Sequence, residues 1–365
     1  MAHSDVTIDG SPDSDYLQMA LARGGITAPI NKFGMEQLTG GRTGAQVDKL
    51  STEVDSYILK RVPYDNWQQT AMGAPGEGPL WISGALDDQV LPTPLQCPAI
   101  DVAFHDSSQS WWILMRDVGA GIPERNKFGE EETRKLWSAV ARLHAHYWGR
   151  SDELAELPLA EIRKTTDVFA EPVYGAIDGL IREPWVEDVI RDFMPLRVLL
   201  PAFLELLPSS DGDFYLQMVK DRSWHRGLED ATPTFIHGDL RRANVSFMDD
   251  KTILFDWEFA AQGPAACDLQ WNSFLTYWAY TPGDGIEPWD RDHLRDCYLS
   301  ELETALGHAI DRIEFQKTWD LAWLRIMSQL GFCFADINRD NVDELAAANR
   351  RIQVAVQNCR RILGG

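Results

Sequence analysis

The sequence predicts an α+β chain of two lobes, a small antiparallel-sheet lobe followed by a larger, mainly helical one. Three observations carry that expectation. Up to about residue 117 the pattern is strand-like and rich in loops, and beyond it helical periodicity dominates. Short strand patterns then return around residues 234–255, inside otherwise helical chain. The expected division is 1–117 for an N-terminal arm and the sheet lobe, and 118–365 for the helical lobe.

Strand patterns at Met35–Leu38, Ala45–Leu50 and Ser56–Val62 are separated by a Gly40-Gly41-Arg42-Thr43-Gly44 turn and a short link. The run Tyr57-Ile58-Leu59-Lys60-Arg61-Val62 is β-branched and aromatic, as a strand requires. A Pro75-Gly76-Glu77-Gly78-Pro79 stretch follows, and Ile113–Met115 reads as a buried strand, so the first third predicts a small sheet with one helix. From Glu130 to Tyr147, Leu136, Val140, Leu143 and Tyr147 recur at helical spacing on one face, and Gly149 ends the helix. Residues from about 150 to 230 read as helices broken at Pro158, Pro172, Pro184, Pro195, Pro201 and Pro208. Thr234–Ile236, Val245–Met248 and Thr252–Phe255 read as short strands, the last two joined by Asp249-Asp250-Lys251; after Asp268 the pattern is helical to the end.

Composition narrows the function classes. Acidic residues number 56 and basic residues 34, a formal charge of −22, which disfavours nucleic acid and anionic membrane surfaces as partners. The densest apolar run, Trp111–Met115, stops at Arg116, far short of the roughly 20 residues that span a bilayer. Met1–Gly10 carries two aspartates and no apolar stretch, so no secretory signal is visible and a cytoplasmic location is expected. Five cysteines, with no C-x-x-C pair, read as reduced core thiols. His144 and His146 stand two apart on a helix and face different sides, which argues against a metal pair.

The chemistry-bearing segment is His237-Gly238-Asp239-Leu240-Arg241-Arg242-Ala243-Asn244, followed by Asp256-Trp257-Glu258. An aspartate, an asparagine five residues on and a second aspartate after a short hairpin are the parts that phosphoryl transfer needs. One carboxylate orients and deprotonates the attacking hydroxyl, and hard oxygens ligate magnesium at the phosphates. Taken singly, each residue also fits an ordinary cap or turn; their order and spacing together are what point to chemistry. Upstream, Gly40, Gly41 and Gly44 form either a hairpin turn or a loop that brings backbone N–H groups onto phosphate.

These motifs resemble the aminoglycoside phosphotransferase and choline kinase group, which carries His-Gly-Asp where protein kinases carry His-Arg-Asp. The resemblance rests on Phe235–Asp239 and Leu254–Glu258 and extends loosely over residues 35 to 275. It implies a protein-kinase-like bilobal fold and a Mg2+- and ATP-dependent transfer to a hydroxyl of a small molecule. By that resemblance Asp239 is the catalytic base, and Asn244 and Asp256 are the magnesium ligands. Lys60 pairs the α- and β-phosphates with Gly40, Gly41 and Gly44, Glu77 holds the lysine, and the backbone near Met115 meets adenine. Asp268 ties the next helix to the catalytic loop, and His237 braces that loop. Two roles stay open for Glu258: supporting the metal, or facing solvent. Nine residues between Glu258 and Asp268 leave no room for a long peptide-docking segment, which disfavours a protein substrate. Trp271, Phe274, Tyr277, Trp278, Trp319 and Trp323 admit two readings, a cage for a cationic acceptor or core packing. A different class stays open as well, a catalytically idle nucleotide-binding module on the same fold.

Overall fold

Period-two alternation in one strand organises the first lobe. In β3 (Ser56–Pro63), Tyr57 and Leu59 point to one side of the sheet, while Ile58, Lys60 and Val62 point to the other. β3 sits at the centre of a five-stranded antiparallel sheet with β1 (Phe33–Leu38), β2 (Gln46–Thr52), β5 (Ala99–His105) and β6 (Ser110–Arg116), in the order β1-β2-β3-β6-β5. The computed structural model describes residues 12–364 apart from 28–29, 31, 39–43, 65–66, 179–183, 190–195, 280–286, 332 and 334–339. Gly40 and Gly41 therefore lie outside the described residues.

The odd face of β3 is covered by an N-terminal helix, α1 (Ser14–Arg23), which the sequence reading passed over as part of an acidic arm. Asp13 caps it by accepting the Tyr16 N–H at 2.7 Å. Tyr16, Leu17, Ala20 and Leu21 bury one face against Leu50, Leu59, Trp112 and Leu114. Their spacing is helical, on one face of the helix, although the flanking aspartates make the segment's composition acidic. Arg61 shares this face, paired with buried Asp48 at 2.5 Å and lying over the Trp112 ring. Two further helices follow β3, α2 (Trp67–Met72) and α3 (Glu77–Ile82), so the first third holds three helices among the described residues where one was expected. Gly78, a weak helix former, stands in the first turn of α3 because the Trp111 ring lies against it; a Cβ there would come within 2.2 Å of that ring.

The sheet leads into a linker clamped at both ends. Asp117 accepts from Ser56 and pairs with Lys49 at 2.7 Å, whereas Ser246 donates to the Val118 carbonyl and Arg242 to that of Pro123. The second lobe then begins with α4 (Glu130–Tyr147), as its periodicity predicts, and the chain leaves it through Gly149 at φ +69°. A two-residue strand of the first third, β4 (Leu95–Gln96), pairs in parallel not with the five-stranded sheet but with the hairpin of residues 245–254 described below.

After α5 (Ser151–Ala155) and β7 (Ala160–Glu161), the proline-rich stretch forms α6 (Ile162–Asp178), α7 (Pro184–Asp188), α8 (Leu196–Glu205), α9 (Ser209–Lys220) and α10 (Arg226–Glu229). Pro184 opens α7 and Pro208 caps α9, as breakers should; Pro195 lies outside the described residues. Pro172 and Pro201, expected to end helices, instead lie inside α6 and α8. A mid-helix proline costs about 3 kcal/mol. Around Pro172 the burial of Val168, Phe169, Ala170 and Val173 outweighs that cost.

β8 (Thr234–Ile236) then enters the site, pairing with β11 (Ala261–Gly263), which pairs in turn with β7. Between them, β9 (Val245–Met248) and β10 (Lys251–Leu254) form a hairpin in which β10 also pairs with β4. Its two-residue turn, Asp249-Asp250, has positive φ at both positions, the primed turn that matches strand twist. The chain closes with α11 (Ala266–Phe274), α12 (Asp292–Leu306), α13 (Arg312–Leu330) and α14 (Val342–Ile362). Trp137, Trp319, Trp323 and Phe274 fill the core of this lobe, with Trp137 Nε1 donating to Asn272 Oδ1 at 2.9 Å. The result is a bilobal α+β fold. Among the described residues no helix is long and apolar enough to cross a membrane.

Candidate active site

Two elements bring Lys60 to the seam between the lobes. Its register on β3, opposite Val47 and Ile113, puts the side chain on the face away from α1. Its Nζ is 2.6 Å from Glu77 at the start of α3, 2.6 Å from Asp256 and 2.8 Å from Glu258. Burial would strip the lysine of its proton, but the three carboxylates hold it well above its ordinary value, so it is a fixed cation. Glu77 Oε1 accepts from the Trp257 backbone N–H at 3.2 Å and from Trp81 Nε1 at 3.3 Å. The first lobe thereby grips the Asp256-Trp257-Glu258 segment through both backbone and side chain.

Glu258 is neither solvent-facing nor remote. It is buried and paired with Lys60, a contact that no sequence signal specified. Burial raises its carboxyl, with Lys60 opposing. For Asp256, burial acts upward but the charge and hydrogen bond of Lys60 outweigh it, leaving the carboxyl below its ordinary range. The side chain of Asp256 is 33% exposed while those of Glu77 and Glu258 are buried, so Asp256 is the carboxylate that opens on the cleft. Its backbone adopts φ +66°, a left-handed conformation tolerated by aspartate and seldom by larger residues.

The catalytic-loop candidates are fixed from below. The first-turn aspartate of α11, Asp268, accepts the backbone N–H groups of His237 at 2.7 Å and Gly238 at 2.8 Å, and His144 Nε2 of α4 lies 3.5 Å from it. Burial pushes its carboxyl up, but His144 and these donors pull it below the ordinary range. His237 braces the loop from both ring nitrogens. Its Nε2 donates to the Phe255 carbonyl at 3.0 Å, and its Nδ1 accepts the Asp239 N–H at 3.3 Å. Gly238 is required twice over: φ is +81°, and a Cβ would fall 1.9 Å from the Phe259 carbonyl oxygen.

Asp239 is held by three donors. Oδ1 accepts from Trp271 Nε1 at 2.8 Å; Oδ2 accepts from Asn244 Nδ2 at 2.9 Å and from Arg241 Nε at 2.8 Å. Burial raises its carboxyl, against the charge of Arg241, which suits a base better than an ordinary acidic carboxylate would. Asn244 spends its amide nitrogen on Asp239, so its carbonyl oxygen is the atom left to meet a cation. Its backbone carbonyl accepts the Phe255 N–H at 3.2 Å, which sets Asn244 beside Asp256 across the mouth of the hairpin. Glu77, Asp256 and Glu258 offer ligand oxygens within 4.8 Å of one another, but Lys60 already pairs with each. The donor set that fits a hard divalent cation is Oδ2 of the part-exposed Asp256, the oxygen Lys60 does not take, with the carbonyl oxygen of Asn244.

Of the remaining residues read from the sequence, Gly44 has φ +83° with open space around it, and Met115 is buried at the end of β6. The aromatics do not form a cage. Trp319, Trp323 and Phe274 are core, Tyr277 donates to Thr133, and Trp271 is committed to Asp239; the Trp278 side chain lies outside the described residues. Four of the five cysteines are buried or half-buried, but Cys297 on α12 is exposed and is not a core thiol. Sequence reading missed Trp271 and Arg241 as partners of Asp239. The signal for Trp271 was its place three residues after Asp268, one helical turn along the same face.

The model of the APH phosphotransferase enzyme family matches residues 35–296. The chain belongs to that family. Solved structures of this fold include an amicoumacin kinase in complex with AMP-PNP and Ca2+, 14% identical, with a TM-score of 0.52 over 96% of this chain and 95% of that one. A choline kinase from Cryptosporidium parvum is 13% identical, with a TM-score of 0.51 over 91% of this chain and 90% of that one. A microcompartment-associated aminopropanol kinase is 14% identical, with a TM-score of 0.50 over 96% and 98%. No curated protein sequence matches the chain. In this phosphotransferase-family chain α1 precedes the matched residues, while α13 and α14 follow them.

Proposed function

We propose that the protein transfers the γ-phosphoryl group of ATP, with Mg2+, to a hydroxyl of a small molecule in the cytoplasm. The observation that carries this reading is that Asp239, in its three-donor cradle, lies close enough to Asp256 of the Lys60–Glu77–Asp256 ion cluster for their charges to interact. Asp239 orients the acceptor hydroxyl and takes its proton as the oxygen attacks phosphorus in line. Lys60, anchored by Glu77 and Glu258, supplies a fixed positive charge for the α- and β-phosphates. Asp256 and Asn244 would hold the magnesium, which when bound neutralises charge on the phosphates. Gly40, Gly41 and Gly44 present backbone N–H groups to phosphate, and the backbone at Met115 meets adenine. The working units of this reading are residues 1–117 for the nucleotide and 118–365 for the acceptor.

The test is ADP release by the purified chain with Mg2+ and ATP, against pools of hydroxylated small molecules, with Asp239→Asn in parallel. Pool-dependent release that disappears in the variant is the expected result. Failure to bind ATP in the presence of Mg2+ would overturn the nucleotide site.

A further inference from the structure

Trp271 and Asp268 lie one turn apart on the same face of α11, and both reach the His237-Gly238-Asp239 loop. Asp268 holds the loop's backbone. Trp271 holds the side chain that the backbone carries, through a 2.8 Å hydrogen bond from its indole N–H to Asp239 Oδ1. We infer that Trp271 is the positioning residue of the catalytic carboxylate, fixing Oδ1 so that Oδ2 faces the acceptor; this rests on the reading of Asp239 as the base.

The three donors on Asp239 differ in how firmly they are placed. Trp271 is 8% exposed and Asn244 3% exposed, whereas the Arg241 side chain is 38% exposed. An indole has one polar atom and a rigid ring packed in a helix interior, so its N–H has a single direction. Asn244 is tied twice, to the Asp239 backbone carbonyl as well as to Oδ2. Arg241 reaches Oδ2 through a long side chain from the more exposed side of the carboxylate. The acceptor hydroxyl therefore reaches Oδ2 by taking the place of the Arg241 Nε–H, while the Trp271 and Asn244 bonds persist. Carboxylate rotation about Cβ–Cγ, which would turn the basic lone pair away from the acceptor, is blocked from the Oδ1 side by Trp271 alone among the described donors.

Trp271→Phe keeps the aromatic packing and removes the donor. The hydrogen bond fixes the orientation of the carboxylate, so its loss lowers kcat about tenfold. KM for ATP should stay within about twofold, because no phosphate contact changes. A packing role would alter stability and leave kcat in place. A second measurement needs no turnover. Of the fourteen tryptophan indole N–H signals in a 1H–15N spectrum, the one missing from Trp271→Phe should shift in Asp239→Asn. If that signal is unmoved in Asp239→Asn, or if an active wild type and Trp271→Phe share one kcat, the inference is overturned. A wild type that binds ATP yet turns over no pool overturns the phosphotransferase reading itself, a different result from an unchanged variant.

Discussion

An Asp268→Asn chain keeps the side chain's shape and removes its charge. In the wild type the buried carboxylate accepts the His237 N–H at 2.7 Å and the Gly238 N–H at 2.8 Å. Hydrogen bonds to a charged group contribute about 1.5–3 kcal/mol each. Asparagine retains one acceptor oxygen and turns an NH2 group toward the other donor, so one bond is weakened and the other becomes a clash of donors. The expected destabilisation is about 3–5 kcal/mol, a large part of the roughly 5–15 kcal/mol typical of a folded domain. Urea denaturation followed by tryptophan fluorescence reads it directly. The pH dependence adds a second criterion. Burial acts to raise the Asp268 carboxyl, but His144 and the backbone donors bring it below its ordinary value of 3.8. The contribution is thus complete above that value and fades as the pH falls through the lower folded value. The gap between wild type and variant should be constant near neutrality and narrow in strong acid. An Asp268→Asn protein unfolding within about 1 kcal/mol of the wild type at pH 7 would refute the loop-anchoring argument.

Lys60→Met should leave Glu77, Asp256 and Glu258 facing one another without their cation, costing about 3–5 kcal/mol in urea denaturation and abolishing ATP binding by calorimetry; unchanged binding would remove Lys60 from the nucleotide site. Gly238→Ala should unfold at markedly lower temperature, because its Cβ meets the Phe259 carbonyl at 1.9 Å and its φ of +81° adds about 1–2 kcal/mol of strain. Leu17→Ala, in the fully buried face of α1, should cost about 2–5 kcal/mol, and a scan showing no loss would detach α1 from the sheet. Since burial raises the Asp239 carboxyl, the base is fully ionised only at a pH above the range of an ordinary carboxylate; a kcat profile flat down to pH 3.8 would contradict the role.

The legible part of the molecule was local. The strand alternation around Lys60 and the helical period from Glu130 to Tyr147 depend on neighbours within a few turns, and each appears where its pattern placed it. The two prolines inside helices were misread for a physical reason. Propensity counts the lost hydrogen bond at Pro172, but not the buried Val168 and Val173 that offset it.

By itself, the sequence determined the two-lobed α+β order, the catalytic-loop motif and the types of chemical group it carries, because period and motif spacing are properties of one segment at a time. Tertiary structure decided that Glu258 joins Glu77 on Lys60, that Asp256 is the carboxylate opening on the cleft, and that Trp271 grips Asp239. Those facts are set by burial and by contacts such as that between residues 60 and 256, which are 196 positions apart. Two side chains so distant in sequence meet only after both lobes have packed, and the low-dielectric seam they then share fixes which carboxylate is raised, which is depressed and which faces the cleft.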